Sequence, residues 1–188
     1  MKYGVVIMRA QPVHKGHIDI INQALVDNER VLVVIGSANK HGTKRNPFPI
    51  KLREQMLMGA LYDYHLEERV DILTLSDWSM ENAYQYAKEW GSFFYYNVVN
   101  AIQEKTFTMY YNDNPETVKN WFIPEIAERV EVKCTERVRN VSATKIREAI
   151  EKIDIDYLAD ALAPSTFNMF STLRELLKNA DKNDYIMD

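Results

Sequence analysis

Val5-Val6-Ile7-Met8-Arg9-Ala10-Gln11-Pro12-Val13-His14-Lys15-Gly16-His17 is the stretch whose reading decides the fold. An apolar run of strand length, Tyr3 to Met8, gives way to Pro12 and to two histidines spaced His-x-x-His. From Ile18 the pattern turns helical, with Ile18, Ile21, Ala24 and Leu25 on one side. The order is strand, turn, helix, with the helix expected over 17–26 and ended by Asp27-Asn28. A guest in such a turn faces a helix N-terminus, where unpartnered backbone N–H groups and the helix dipole favour an anion. His14, Lys15 and His17 add donors, Gly16 permits close backbone approach, and Arg9 can reach the same crevice. Phosphate is the expected ligand.

Outward from this stretch, Arg30 to Ile35 is a second apolar run, completing a βαβ unit whose crossover should be right-handed. Further strands are predicted at 70–75, 107–111 and 130–134. Helices are predicted at 50–62, at 80–102 with a kink or break at Gly91, and from Glu116. Another follows Ser142, and two short ones flank Pro164. Met56, Met58 and the aromatics Trp90, Phe93 and Phe94 read as packing residues. The fold class is therefore α/β: a Rossmann-like open parallel sheet of about five strands, flanking helices and a short C-terminal helical extension. At 188 residues the chain suits one domain, with an α/β core over 1–154, C-terminal helices over 155–180 and a frayed tail over 181–188.

Composition narrows the function. A net charge of −4 leaves no basic footprint for nucleic acid, although basic residues gather between Lys40 and Arg45 and between Arg137 and Arg147. The single cysteine, Cys134, excludes an internal disulfide and reads as a packed strand residue. No run approaches the roughly 18 apolar residues of a membrane span, and Met1-Lys2-Tyr3-Gly4 carries no signal-peptide pattern, so a cytoplasmic protein is expected.

Two more stretches can handle anions. The polar loop from Gly36 to Pro49 leaves the carboxyl end of a parallel strand, where open α/β sheets bind ligands, and Arg53 follows shortly after. Ser142 is a good N-cap, which puts Thr144 and Lys145 in a first helical turn with Arg147 about one turn later. Cations there oppose the dipole unless an anion sits among them.

The opening stretch resembles the HxGH signature of the nucleotidyltransferase superfamily. It is closer still to the Gly-Arg-Phe-Gln-Pro-x-His-x-Gly-His form of nicotinamide mononucleotide adenylyltransferases of the archaeal and bifunctional bacterial type. Arg9, Gln11, Pro12, His14, Gly16 and His17 match, while Met8 and Ala10 replace glycine and phenylalanine. Val141-Ser142-Ala143-Thr144-Lys145-Ile146-Arg147 is similar to the superfamily's Ile-Ser-x-Thr-x-Ile-Arg, and Asn114-Pro115 to the end of its Gly-Asn-Pro. The resemblance implies catalysis by His14, His17, Lys15 and Arg147, and ATP binding by Arg9, Gln11, Gly16, Ser142, Thr144 and Asn114. For the acceptor it implies Lys40, Asn46, Phe48, Asp77 and Asn82, with Arg53 on a phosphate. Gln85 stands where the family's stacking tryptophan belongs, so Trp78, Tyr84 or Tyr86 would supply that face.

The reaction so implied joins ATP and nicotinamide mononucleotide into NAD and pyrophosphate, with Mg2+ held mainly by the ATP phosphates. The same machinery could serve cytidylyl transfer, or adenylyl transfer to phosphopantetheine or flavin mononucleotide. A nucleotide-binding sensor without turnover is the rival of another class. Partners are then small nucleotides, with neither nucleic acid nor membrane, and the resemblance extends to assembly as a homo-oligomer.

Overall fold

All five apolar runs form parallel strands in the computed structural model, which describes residues 2–77, 87–112 and 115–181. They are β1 (Tyr3–Met8), β2 (Arg30–Ile35), β3 (Val70–Thr74), β4 (Phe107–Tyr111) and β5 (Val130–Cys134), in the order β3-β2-β1-β4-β5. The central strand pairs Tyr3 with Arg30 through Met8 with Ile35 on one side, and Gly4 with Thr108 through Val6 with Tyr110 on the other. Unbroken Val/Ile runs suit this position, because a parallel strand covered on both faces has no solvent side. Val5, Val6, Val31, Val33, Val34 and Ile35 are fully buried. Strand order reverses at β1, so the switch-point crevice opens at its carboxyl end, where Arg9 to His17 lie.

Helices cover both faces. Against one pack α1 (Lys15–Asp27), α2 (Ile50–Asp63), α6 (Ala143–Lys152), α7 (Ile155–Ala161), α8 (Pro164–Phe167) and α9 (Phe170–Asn179). Against the other pack α3 (Ala87–Ile102), α4 (Pro115–Lys119) and α5 (Pro124–Ala127). The expected Rossmann-like class and C-terminal helical extension are the observed ones.

Several local expectations are corrected. Helix α1 starts at Lys15, two residues before the expected start at His17, because His14 takes the extended conformation of an N-cap. Gly91 does not break α3: a Cβ there would lie 1.9 Å from the Trp121 carbonyl oxygen, so the glycine admits another backbone against the helix. Met58 is 61% exposed rather than core. Cys134 is exposed as well, since β5 is an edge strand. Among the described residues three helices, not two, follow residue 154. Asp181, read as the first tail residue, is hydrogen bonded to the loop at Gly42 and Lys44, and residues 182–188 lie outside the described residues.

Candidate active site

The turn after β1 is held by side chains that bond backbone. The Gln11 carboxamide behaves like a strand partner for Phe48: its Nε2 donates to the Phe48 carbonyl at 3.0 Å, and its oxygen accepts from the Phe48 N–H at 2.9 Å. Arg53 is fully buried. Its Nη1 donates to the carbonyls of Arg9 and Gly36, both at 3.0 Å, and its Nη2 to those of Ser37 at 3.0 Å and Ala38 at 3.2 Å. One guanidinium thus ties the end of β1 to the start of the loop after β2. Burial pulls its pKa down to about 10, so it stays charged at neutral pH. The tight path is visible in Ala10 (φ 56) and Ser37 (φ 50), both non-glycine residues in the left-handed region.

Inside this frame His14 and His17 form a stacked pair, with ring centroids 3.7 Å apart and planes at 20°. The His14 N–H donates to His17 Nδ1 at 3.1 Å, which places the proton of neutral His17 on Nε2 and makes that atom a donor. Burial is the main cause lowering both pKa values. His17 falls to about 4, and His14 well below its ordinary range with help from the charges of His17 and Arg137. Both rings are neutral at pH 7 without a ligand. His14 Nδ1 is buried with no hydrogen-bond partner, an unmet polar atom inside the site. Gly16 was expected to spare room for a ligand; what it spares is the His14 ring, whose Nδ1 would lie 3.0 Å from a Cβ there.

Helix α6 supplies the second N-terminus. Ser142 Oγ accepts from the Lys145 N–H at 3.3 Å, as a cap should. Arg147 Nη1 donates to the Gln11 carbonyl at 2.7 Å and Nη2 to Thr144 Oγ1 at 3.3 Å, so this helix is fastened to the turn preceding α1. Arg9, at the strand end, has its pKa lowered by partial desolvation and then by the like charge of Arg45. Asp77 offsets part of this, and a further anion beside Arg9 would be stabilising.

A third cluster lies at the ends of β2 and β3. Lys40 Nζ is 3.1 Å from Asp77 Oδ2, which also accepts from Ser37 Oγ at 2.6 Å. Asn39 brackets the Asp77 backbone, donating to its carbonyl and accepting from its N–H, both at 3.0 Å. Composition marked the loop as polar but gave no sign that Ser37 and Asn39 hold Asp77, because the partners are about 40 positions apart.

The structure thus gathers His14, His17, Arg9, Ser142, Thr144 and Arg147 at one crevice, and Lys40 with Asp77 beside it. Other expected site residues are placed differently. Lys15 Nζ points to the Ala159 carbonyl at 3.3 Å, away from the histidines. Gln11 Nε2 and both terminal nitrogens of Arg53 donate to backbone carbonyls, Arg53 Nε is buried with no partner, and Phe48 is fully buried in the core. All three are tied into the walls of the crevice. Asn46 is buried, its Oδ1 without a partner. Trp78, Asn82, Tyr84, Tyr86 and Asn114 lie outside the described residues. A groove of about 560 Å³ at the opposite, amino end of the strands, lined by Lys2, Glu104, Arg129 and Glu131 among others, touches none of this chemistry.

Comparison with known proteins agrees with that geometry. The sequence profile of the cytidylyltransferase-like family matches residues 9–149. A protein of Thermoplasma acidophilum named nicotinamide-nucleotide adenylyltransferase is 30% identical over 152 residues, 78% of this chain and 74% of that one. Its namesake from Thermococcus onnurineus is 38% identical over 76 residues, 40% of this chain. The match spans only about two fifths of that relative's length (41%). A bifunctional NMN adenylyltransferase/ADP ribose pyrophosphatase from Francisella tularensis superposes with TM-scores of 0.76 and, in its complex with AMP and a manganese ion, 0.72. Identity is 19% and 21%, over 94% of this chain and 51% of that one, so this likeness concerns the fold.

Proposed function

The chain belongs to the cytidylyltransferase-like family, and on that premise we propose that it is an adenylyltransferase joining ATP and nicotinamide mononucleotide into NAD and pyrophosphate. The observation that carries the reading is the 2.7 Å bond from Arg147 to the Gln11 carbonyl, which joins the α6 N-terminus to the turn holding His14 and His17. Two helix N-termini fixed side by side, with a neutral imidazole donor and guanidinium groups between them, suit a polyphosphate better than any single anion. The names of the two relatives supply the acceptor.

In this reading an oxygen of the acceptor's phosphate monoester attacks the α-phosphorus of ATP. The new P–O bond forms as the bond to the bridging oxygen breaks, and the electron pair leaves with pyrophosphate. A monoester's second pKa is about 6, so the nucleophile is already ionised near pH 7 and needs no general base. His17 Nε2–H donates to the reacting phosphate, and Arg147, Ser142 and Thr144 hold the departing pyrophosphate. Arg9 neutralises charge nearby. Lys40, Asp77 and Asn46 flank the acceptor. Among the described residues no group of three or more His, Cys, Asp or Glu could hold a metal ion. The hydroxyl, amide and guanidinium donors present fit phosphates, so a divalent cation, which we take as Mg2+, would ride on the triphosphate and lower its charge.

Among the described residues no helix is long and apolar enough to cross a membrane; we place the reaction in the cytoplasm. Pyrophosphate release should appear with ATP, Mg2+ and nicotinamide mononucleotide, and vanish on chelation. Nicotinate mononucleotide, phosphopantetheine, flavin mononucleotide and CTP form the comparison panel. Turnover with a different pair would keep the phosphate chemistry and replace the acceptor or donor. Tight ATP binding without turnover on any pair would favour a nucleotide sensor.

A further inference from the structure

We propose that the C-terminal segment braces the loop 36–49, with Lys44 as the positioning residue, and so sets affinity for the acceptor; this rests on the acceptor reading above. The loop's two ends are fixed by Arg53 and by Gln11. Its middle, turning through Gly42 at φ 76, has a different anchor. Lys44 Nζ donates to Glu151 Oε1 of α6 at 2.9 Å and to the Leu177 carbonyl of α9 at 2.8 Å. The Lys44 N–H donates to the Asp181 carbonyl at 2.9 Å, and the Asp181 N–H donates to the Gly42 carbonyl at 2.8 Å, pairing Thr43 with Asp181 as a parallel bridge. Four bonds therefore reach the loop from residues more than 100 positions downstream. Their base is firm, because Leu173 and Leu177 of α9 are buried in the core.

What the brace would position lies one step away. Asn46 accepts from the Thr43 N–H through its carbonyl at 3.4 Å and donates its own N–H to Thr43 Oγ1 at 3.1 Å. The Asn46 side chain is only 7% exposed, and its Oδ1 has no partner. An unmet buried acceptor is costly unless a donor arrives, which marks this atom for a ligand amide or hydroxyl. Any shift of Thr43 moves Asn46 with it. On the loop's other side Lys40 meets Asp77.

The test uses full-length variants. Lys44→Met removes the ammonium, and Asp181→Pro, compared with Asp181→Ala to account for the lost carboxylate, removes the N–H donated to Gly42. Both should raise KM for nicotinamide mononucleotide at least about fivefold, with kcat and KM for ATP within about twofold of the parent. Lys44→Arg should restore most of the affinity. A merely stabilising contact would instead lower the melting temperature and leave KM alone; that result in both variants would overturn the brace. If a variant fails to fold, hydrogen exchange on the unmodified protein decides, since the Lys44 and Asp181 amides should be protected about as well as those of α9. Exchange at open-loop rates would overturn the idea. Failure of the acceptor reading is visible separately: the unmodified protein would not turn over nicotinamide mononucleotide, while exchange at residues 43–46 would still accelerate in Lys44→Met.

Discussion

At the scale of single residues, the stacked histidines carry a pH signature and, in the proposed reaction, the chemistry. With its Nδ1 taken by the His14 N–H, His17 can only donate through Nε2, and in the proposed reaction that donor would meet the charge developing as pyrophosphate departs. His17→Ala should therefore lower kcat by about 100- to 1000-fold and change the ATP dissociation constant by less than about threefold, read by steady-state kinetics beside calorimetry. Full activity in that variant would remove His17 from the mechanism. The lowered pKa makes a second prediction. An unfolded His17 takes up a proton near pH 6.5, but the folded one resists until about pH 4. Between those values the unfolded chain binds more protons, so the contribution is whole above pH 6.5 and shrinks as pH falls toward 4, by up to about 3 kcal/mol. Urea midpoints of the parent should drop more steeply between pH 7 and pH 4.5 than those of His17→Gln. Parallel pH curves would mean that folding leaves this imidazole's proton affinity unchanged.

Elements were legible in the sequence where burial writes a long pattern, and opaque where a single side chain meets distant backbone. Strands β1, β2, β4 and β5 run as expected and β3 ends one residue early; the central strands are legible because a doubly covered parallel strand is apolar along its length, and the edge strands β3 and β5 keep apolar residues on alternate positions only in part. The HxGH and Ser-x-Thr stretches likewise announced two helix N-termini. Spacing could not tell that Arg53 would be consumed by carbonyls of residues 9, 36, 37 and 38, or Gln11 by Phe48. A guanidinium or carboxamide looks the same in sequence whether it waits for a phosphate or staples two loops. Gly91 failed for a related reason: its cause is the Trp121 backbone, 30 positions away. That makes a sharp test of α3. By helix propensity alone Gly91→Ala should stabilise by about 1 kcal/mol. A Cβ 1.9 Å from the Trp121 oxygen forces the helix off its seat, and the net result should be a loss of about 2 kcal/mol or more in urea unfolding. A stabilised variant would show that the helix and the α4–α5 connection separate at little cost.

Across the whole molecule, the carboxyl end of the sheet organises three separate contributions. The β1 turn brings the histidines, α6 brings a capped N-terminus from the far end of the core, and the 36–49 loop brings the Lys40–Asp77 pair. Only the fold makes these neighbours, since Gln11 and Arg147 are 136 positions apart. If α6 holds the β- and γ-phosphates while the β1 turn holds the α-phosphate, the two ends should be separable with nucleotides of different length. ATP with Mg2+ at 100 times its dissociation constant adds about 2.7 kcal/mol to the folded state, or about 5–10 °C in melting temperature for a chain of this size. AMP should give a smaller shift at equal concentration, because it has nothing to place at the α6 N-terminus. Arg147→Met should then cut the ATP shift toward the AMP value and leave the AMP shift nearly as it was. Equal loss of both would mean that Arg147 acts by holding the Gln11 carbonyl and shaping the β1 turn, and that the triphosphate does not extend across to α6.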